Sequence, residues 1–241
     1  MRLRMCLLLA LFSVSRPGLA AEELVRSAVS ASGGTVPYIL DSAAPAPAYV
    51  LILFPGGDGV VDPHIEGGKL QYAKRGNFLL RARPFFVDAE FATATTDSTQ
   101  LEERIQAVID DLKRRFPQAK IYLVGTSNGT FDTMKLADYL ADKIAGEVHT
   151  SSLRGIASFD GRRYGNRHLV VHHRQDGCRA TPYAAAESSQ ARYGTELITM
   201  EGGISVGNPC EPYAHHGYNG IERETAAAIK RWIRRDNILE N

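Results

Sequence analysis

Two segments of the chain are apolar at every position. Tyr49-Val50-Leu51-Ile52-Leu53-Phe54 runs into Pro55-Gly56-Gly57, and Ile121-Tyr122-Leu123-Val124 runs into Gly125. Short runs with no polar face predict strands buried on both sides, as in a parallel sheet. Between them, Leu101, Ile105, Val108, Ile109, Leu112 and Phe116 recur at helical spacing. Thr99 and Glu102 have capping-box spacing at the start of that helix, and Pro117 ends it. The pattern predicts further strands at Thr35 to Leu40, Phe91 to Thr96, Gly155 to Phe159, His168 to His172 and Glu196 to Met200. It predicts helices over Phe131 to Ile144, closing near Gly146, and over Ile221 to Arg235. Residues 60–90 read as an amphipathic helix and a strand rim, with Arg75, Arg81, Arg83 and Phe85-Phe86 as a weaker candidate for lining a site. Strands alternating with helices imply an α/β fold, a mostly parallel sheet with helices on both faces.

The amino terminus has a different pattern. A basic start (Arg2, Arg4) precedes the apolar run Cys6 to Phe12, and Gly18-Leu19-Ala20 supplies small residues at a cleavage point. This is the organisation of a secretory signal peptide over residues 1–20, and the apolar run is too short to span a bilayer. Residues 21–241 are then expected to form a single exported domain, periplasmic or secreted. The chain of 241 residues has a formal charge of +1, and without the leader 25 basic side chains face 27 acidic ones. A near-neutral body argues against nucleic acid or an anionic membrane surface as the main partner. The mature chain keeps Cys178 and Cys210, and an even count in an oxidising compartment predicts a disulfide.

Candidate chemistry falls at the carboxyl ends of the strands, where open α/β sheets place their sites. Gly125-Thr126-Ser127-Asn128-Gly129 lies between a buried strand and a helix. Glycines two before and two after Ser127 let strand and helix approach and hold the serine in a strained, exposed turn. A serine hydroxyl needs a base, and the base needs an orienting acid, expected here in the chain order Ser, Asp, His. Asp176 follows the strand His168 to His172; Asp160, one strand earlier, is the rival acid. His64 and His149 do not fit that order, and His168, His172 and His173 read as core or rim residues. His215 and His216 follow the last strand, where a mobile loop can present an imidazole. Gly217 favours His216, by giving its ring freedom to swing in. For the oxyanion of acyl transfer, the backbone N–H groups of Gly57 and Asn128 are the expected donors. Phe54-Pro55-Gly56-Gly57-Asp58-Gly59 is not followed by the Gly-Lys-Ser/Thr of a phosphate loop.

These segments together resemble the α/β-hydrolase superfamily, and in size the chain is similar to dienelactone-hydrolase-like proteins and small esterases. His-His-Arg-Gln-Asp-Gly-Cys and His-Gly-Tyr-Asn-Gly-Ile-Glu resemble a group of small exported bacterial serine hydrolases. The resemblance spans about residues 35–235. It implies Ser127 as nucleophile, Asp176 as orienting acid and His216 as general base, with no metal and no organic cofactor. Serine in place of cysteine departs from true dienelactone hydrolases, Pro55-Gly56-Gly57 departs from the His-Gly-Gly of lipases, and the segment from Phe159 to His168 leaves little room for a lid. The expected substrate is a small-molecule or polymer-linked ester. A peptidase or amidase using the same triad, and a non-catalytic binding module on the same scaffold, are the competing readings, and oligomeric state is left open.

Overall fold

The structure is a computed structural model that describes residues 21–235. The expected signal peptide, residues 1–20, lies outside the described residues. Chain order runs β1 (Ala21–Val25), β2 (Tyr38–Ser42), β3 (Tyr49–Phe54), β4 (His64–Glu66), β5 (Lys69–Gln71), α1 (Phe78–Phe86), β6 (Phe91–Thr95) and α2 (Glu102–Arg115). It continues with β7 (Lys120–Thr126), α3 (Gly129–Leu140), β8 (Gly146–Thr150), β9 (Arg167–His173), α4 (Tyr183–Tyr193), β10 (Glu196–Met200) and α5 (Glu222–Arg234). Eight strands form one sheet in the order β1-β2-β6-β3-β7-β8-β9-β10. Strands from β6 to β10 pair in parallel, while β1 and β2 add an antiparallel edge.

The all-apolar strands divide their side chains between two cores. Tyr49, Leu51 and Leu53 of β3 pack with Tyr122 and Val124 of β7 beneath α1 and α5, against Phe78, Phe86, Ile229 and Trp232. Val50, Ile52 and Phe54 pack with Ile121 and Leu123 beneath α2 and α3, against Ile105, Val108, Leu112 and Leu136. Alternate residues of a strand face opposite sides, so a strand covered by helices on both sides must be apolar throughout. α4 covers the far end of the second face through Ala185 and Ala186, against Val170 and Phe159. Among the described residues, no helix is long and apolar enough to cross a membrane.

The structure departs from several expectations. α2 begins at Glu102 with Leu101 as its cap, and Thr99 Oγ1 instead accepts from the Leu101 amide in a turn before the helix. Segment Arg154–Ser158 is a 3₁₀ turn, not a strand. The strand expected there lies earlier, as β8, where Gly146 opens a strand and does not close a helix. Residues 60–90 hold the small β4–β5 hairpin and α1. Two of their arginines, Arg81 and Arg83, are structural. Arg81 donates to Glu222 Oε1 (2.7 Å) and to the Gly217 carbonyl (2.9 Å), and Arg83 donates to Glu22 and to the Tyr72 hydroxyl.

One carboxylate of α2 gathers several of the contacts that hold the antiparallel edge. Asp111 of α2 accepts from the buried Tyr38 hydroxyl (2.6 Å), Ser27 Oγ (2.8 Å), Arg114 (2.7 Å) and Arg115 (2.9 Å). Burial works to raise its pKa, but these donors outweigh it and hold the carboxyl below its usual range. Asp111→Ala leaves the Tyr38 hydroxyl buried without a partner. We expect a loss of about 3 kcal/mol, or a fall in Tm of about 6–12 °C. The neighbouring exposed Asp110→Ala is expected to stay within about 0.5 kcal/mol of wild type. Thermal unfolding compares the two, and equal effects would contradict the assignment.

Candidate active site

The turn after β7 is shaped by what its glycines exclude. Ser127 is in the left-handed region, at φ 53°, which costs a non-glycine residue energy and persists only when the surroundings enforce it. A Cβ on Gly125 would lie 2.7 Å from the Gly129 carbonyl oxygen and from Thr133 Cγ2. One on Gly129 would lie 2.5 Å from the Phe54 carbonyl oxygen. The amide of Ser127 donates to Thr150 O (3.0 Å), and its carbonyl accepts from Thr130 N (2.9 Å) and Thr130 Oγ1 (2.6 Å). The turn is thus held from β8 on one side and from α3 on the other.

Asp176 lies past the end of β9 with its side chain fully buried. Oδ1 accepts from the Cys178 amide (2.9 Å). Oδ2 accepts from Thr181 Oγ1 (2.9 Å) and His216 Nδ1 (3.0 Å), with His172 Nε2 at 3.3 Å. Burial alone would raise the pKa. Hydrogen bonds from His172 and His216, the His216 charge and the Cys178 amide prevail, and hold the carboxyl well below the usual carboxylate range. Because Thr181 Oγ1 donates to Asp176, the proton shared with His216 sits on Nδ1. Neutral His216 therefore carries its lone pair on Nε2.

Ser127 and His216 line the same cavity of about 400 Å³, together with Gly56, Gly57 and Lys74. Among the described residues the Ser127 hydroxyl makes no hydrogen bond, and such contacts are commonly loose before substrate arrives. Asn128 and Gly57 meet through Asn128 Nδ2, which donates to the Gly57 carbonyl (2.8 Å). Their backbone amides form no hydrogen bond among the described residues. A second cleft of about 460 Å³ shares Gly57 with this cavity, is also lined by Asn128, and reaches Ser98, Phe131 and Asp132.

The segment carrying His216 is fastened and not free to swing. Ser151 Oγ donates to the His216 carbonyl (2.7 Å), and the Tyr218 hydroxyl accepts from Ser151 N (2.9 Å) and donates to Val171 O (2.8 Å). Burial pushes the Tyr218 hydroxyl above its usual pKa, so it stays a donor. Gly217 is needed for close approach, since a Cβ there would overlap the Pro212 carbonyl. His215 does not reach the acid and stacks on His173, at a centroid distance of 4.4 Å. Asp160 caps a short 3₁₀ turn and pairs with Arg162 (2.7 Å) at the surface. Cys178 and Cys210 form a disulfide that ties the acid loop to the rim of the cavity.

His172, Thr181, Ser151 and Tyr218 were not singled out from the sequence as site residues. Only His172 left a signal, four residues before Asp176 across a strand end. Its Nε2 faces two acceptors, Asp176 Oδ2 and the Thr181 carbonyl (2.9 Å), and so carries the proton.

No family model matches the chain. Human Nucleolar protein 4 is 22% identical over 164 residues, 65% of this chain and 25% of that protein, so this chain spans about a quarter of that relative's length. Solved structures are similar over most of the chain. Dienelactone hydrolase from Anabaena variabilis has a TM-score of 0.64 at 14% identity, covering 90% of this chain and 99% of that one. Est1E from Butyrivibrio proteoclasticus has a TM-score of 0.60 at 18% identity, covering 90% and 98%. A serine hydrolase without lid from Xanthomonas campestris has a TM-score of 0.57 at 13% identity, covering 90% and 96%. At such identities the likeness is one of fold, and the fold is that of the α/β-hydrolases.

If Asp176 orients His216, Asp176→Asn lowers kcat by about 10⁴-fold, because an amide can hold the wrong imidazole tautomer. Asp160→Asn is expected to stay within about twofold. The lowered pKa also predicts a stability effect. This carboxylate's contribution is complete above about pH 4 and is lost as the pH falls through the folded value. The acid limb of the stability curve should flatten in Asp176→Asn. An Asp160→Asn variant with the larger rate loss would place the acid elsewhere.

The disulfide closes a separation of 32 residues. That constraint contributes roughly 3–4 kcal/mol in the chain-entropy model. Since it fixes the acid loop, Cys178→Ser/Cys210→Ser should lower kcat by about tenfold or more at temperatures where the variant is still folded. Full turnover in the folded double variant would contradict this.

Proposed function

We propose that this protein is an exported serine hydrolase that cleaves a carboxylic ester through an acyl-enzyme. On this reading residues 1–20 are a cleaved leader and residues 21–241 the catalytic unit. The observation that carries the reading is the 3.0 Å contact between Asp176 Oδ2 and His216 Nδ1 at the edge of a cavity that Ser127 also lines. Nε2 of His216 takes the Ser127 proton as Oγ attacks the ester carbonyl, and the amides of Gly57 and Asn128 receive the oxyanion. Collapse expels the alcohol, which takes its proton from His216. Water, deprotonated by the same imidazole, then releases the acid and restores Ser127. The imidazolium formed in both halves sits against a carboxylate that four donors keep ionised despite its burial.

Two clefts that meet at Gly57 support a substrate with groups on both sides of the scissile bond. The disulfide and the leader pattern support export.

Ser127→Ala is expected to lower kcat/KM for short acyl and aryl esters by at least about 10³-fold. Its Tm should stay near that of wild type, because the hydroxyl fills no core space. Parallel assays on esters and matched amides separate esterase from peptidase activity. Near-wild-type ester hydrolysis by the folded variant would overturn the reading, and a preference for amides would redirect it.

A further inference from the structure

β8 reads Gly-Glu-Val-His-Thr, and its two ionisable side chains point inward. Glu147 and His149 are fully buried on the face covered by α3 and α4. The register sets Glu147 beside His168 of β9, which is 9% exposed. Nε2 of His149 and Nδ1 of His168 are hydrogen-bonded to one another at 3.3 Å, a contact that a shared cation would replace. Five buried polar atoms around these residues make no hydrogen bond: both carboxylate oxygens of Glu147, Nε2 of His168 and both amide atoms of Asn166. Protein interiors leave few polar atoms unpaired, because each costs about 1–3 kcal/mol. A buried carboxylate is paired, bound to a metal or protonated, and burial pushes the Glu147 carboxyl up to about 8 where no cation offsets it.

The donors have a definite arrangement. Thr133 Oγ1 donates to Thr130 O (3.0 Å), so at 2.8 Å from His149 Nδ1 it accepts that nitrogen's proton. This fixes the tautomer and directs the Nε2 lone pair of His149 into the cluster, an outer-shell arrangement seen for metal-ligating histidines. One ligand atom each from Glu147, His149 and His168 can be chosen so that all lie within 4.8 Å of one another. Two nitrogens bound at about 2.0–2.1 Å to one tetrahedral ion are roughly 3.3 Å apart, which matches the separation of His149 and His168. Two imidazoles and one carboxylate suit zinc, whereas magnesium and calcium need more oxygen ligands. A surface cleft of about 190 Å³, lined by Tyr164, Asn166 and His168, gives a route inward.

We propose that Glu147, His149 and His168 bind one zinc-type divalent cation in the protein interior, apart from the Ser127 cavity, with Asn166 beside the fourth position. None of the three lines that cavity. The ion would tie β8 to β9 and, through Thr133, to α3, so it is a structural site that stands independently of the hydrolase reading.

The test uses untagged full-length protein stripped with a chelator and titrated with Zn²⁺. One equivalent should bind and raise Tm, since a ligand of the folded state alone stabilises it. Co²⁺ should give the visible absorption of a tetrahedral site. Glu147→Gln, which keeps side-chain size, should weaken Zn²⁺ binding by at least about 100-fold, as should His168→Gln. Ser127→Ala and the surface variant His64→Ala should bind as wild type does. Failure of wild-type protein to take up Zn²⁺ or to shift its Tm would overturn the proposal. So would unchanged affinity in folded Glu147→Gln, or loss of binding in His64→Ala.

Discussion

A carboxylate without solvent contact stays charged only when donors surround it, and the site depends on Asp176 being such a group. Its oxygens take hydrogen bonds from the Cys178 amide, the Thr181 hydroxyl and His216, with His172 closing the remaining side. These donors come from the strand end, the acid loop and the segment before α5. Removing any one weakens the compensation for burying the charge, so the loops are energetically committed to one arrangement. The tautomer of His216 follows from the same set, because Thr181 has already spent its proton on Asp176.

The other half of the site rests on steric exclusion. Ser127 occupies a left-handed conformation because β7, α3 and the Phe54–Gly57 segment meet where Gly125, Gly129 and Gly56 leave no room for side chains. Thr150 and Ser151 join the two halves. The Thr150 carbonyl accepts from the Ser127 amide, while Ser151 donates through Oγ to the His216 carbonyl and through its amide to the Tyr218 hydroxyl. Arg81, clamped on Glu222, reaches the Gly217 carbonyl from the opposite side. The His216 segment is therefore positioned by the end of β8 and by α1, with little left to loop motion.

What was legible in the sequence depended on whether the cause was local. β3 and β7 are apolar because both faces are covered, and the Ser127 turn is written in glycines two residues away on each side. The edge strand β1 and the exact start of α2 depend on partners distant in sequence. β8 was hidden because burial placed Glu147 and His149 where a strand pattern calls for apolar residues, while the apolar segment ending at Phe159 imitated a strand and forms a 3₁₀ turn. Gly217 is required by the close approach of the Pro212 carbonyl and not by freedom of the neighbouring ring. Thr181 and Ser151 carry no motif, and although His172 and Tyr218 lie in recognisable segments, only folding brings all four to Asp176 and His216.

The central claim is that His216, held by Asp176, activates Ser127. The most direct measurement is the rate and position of covalent labelling by a fluorophosphonate, read by mass spectrometry of the digest. The account predicts one adduct, on Ser127, forming rapidly in wild type and in His215→Ala, and slowed by orders of magnitude in His216→Ala. An adduct on another serine, or labelling that survives His216→Ala and fails in His215→Ala, would contradict it.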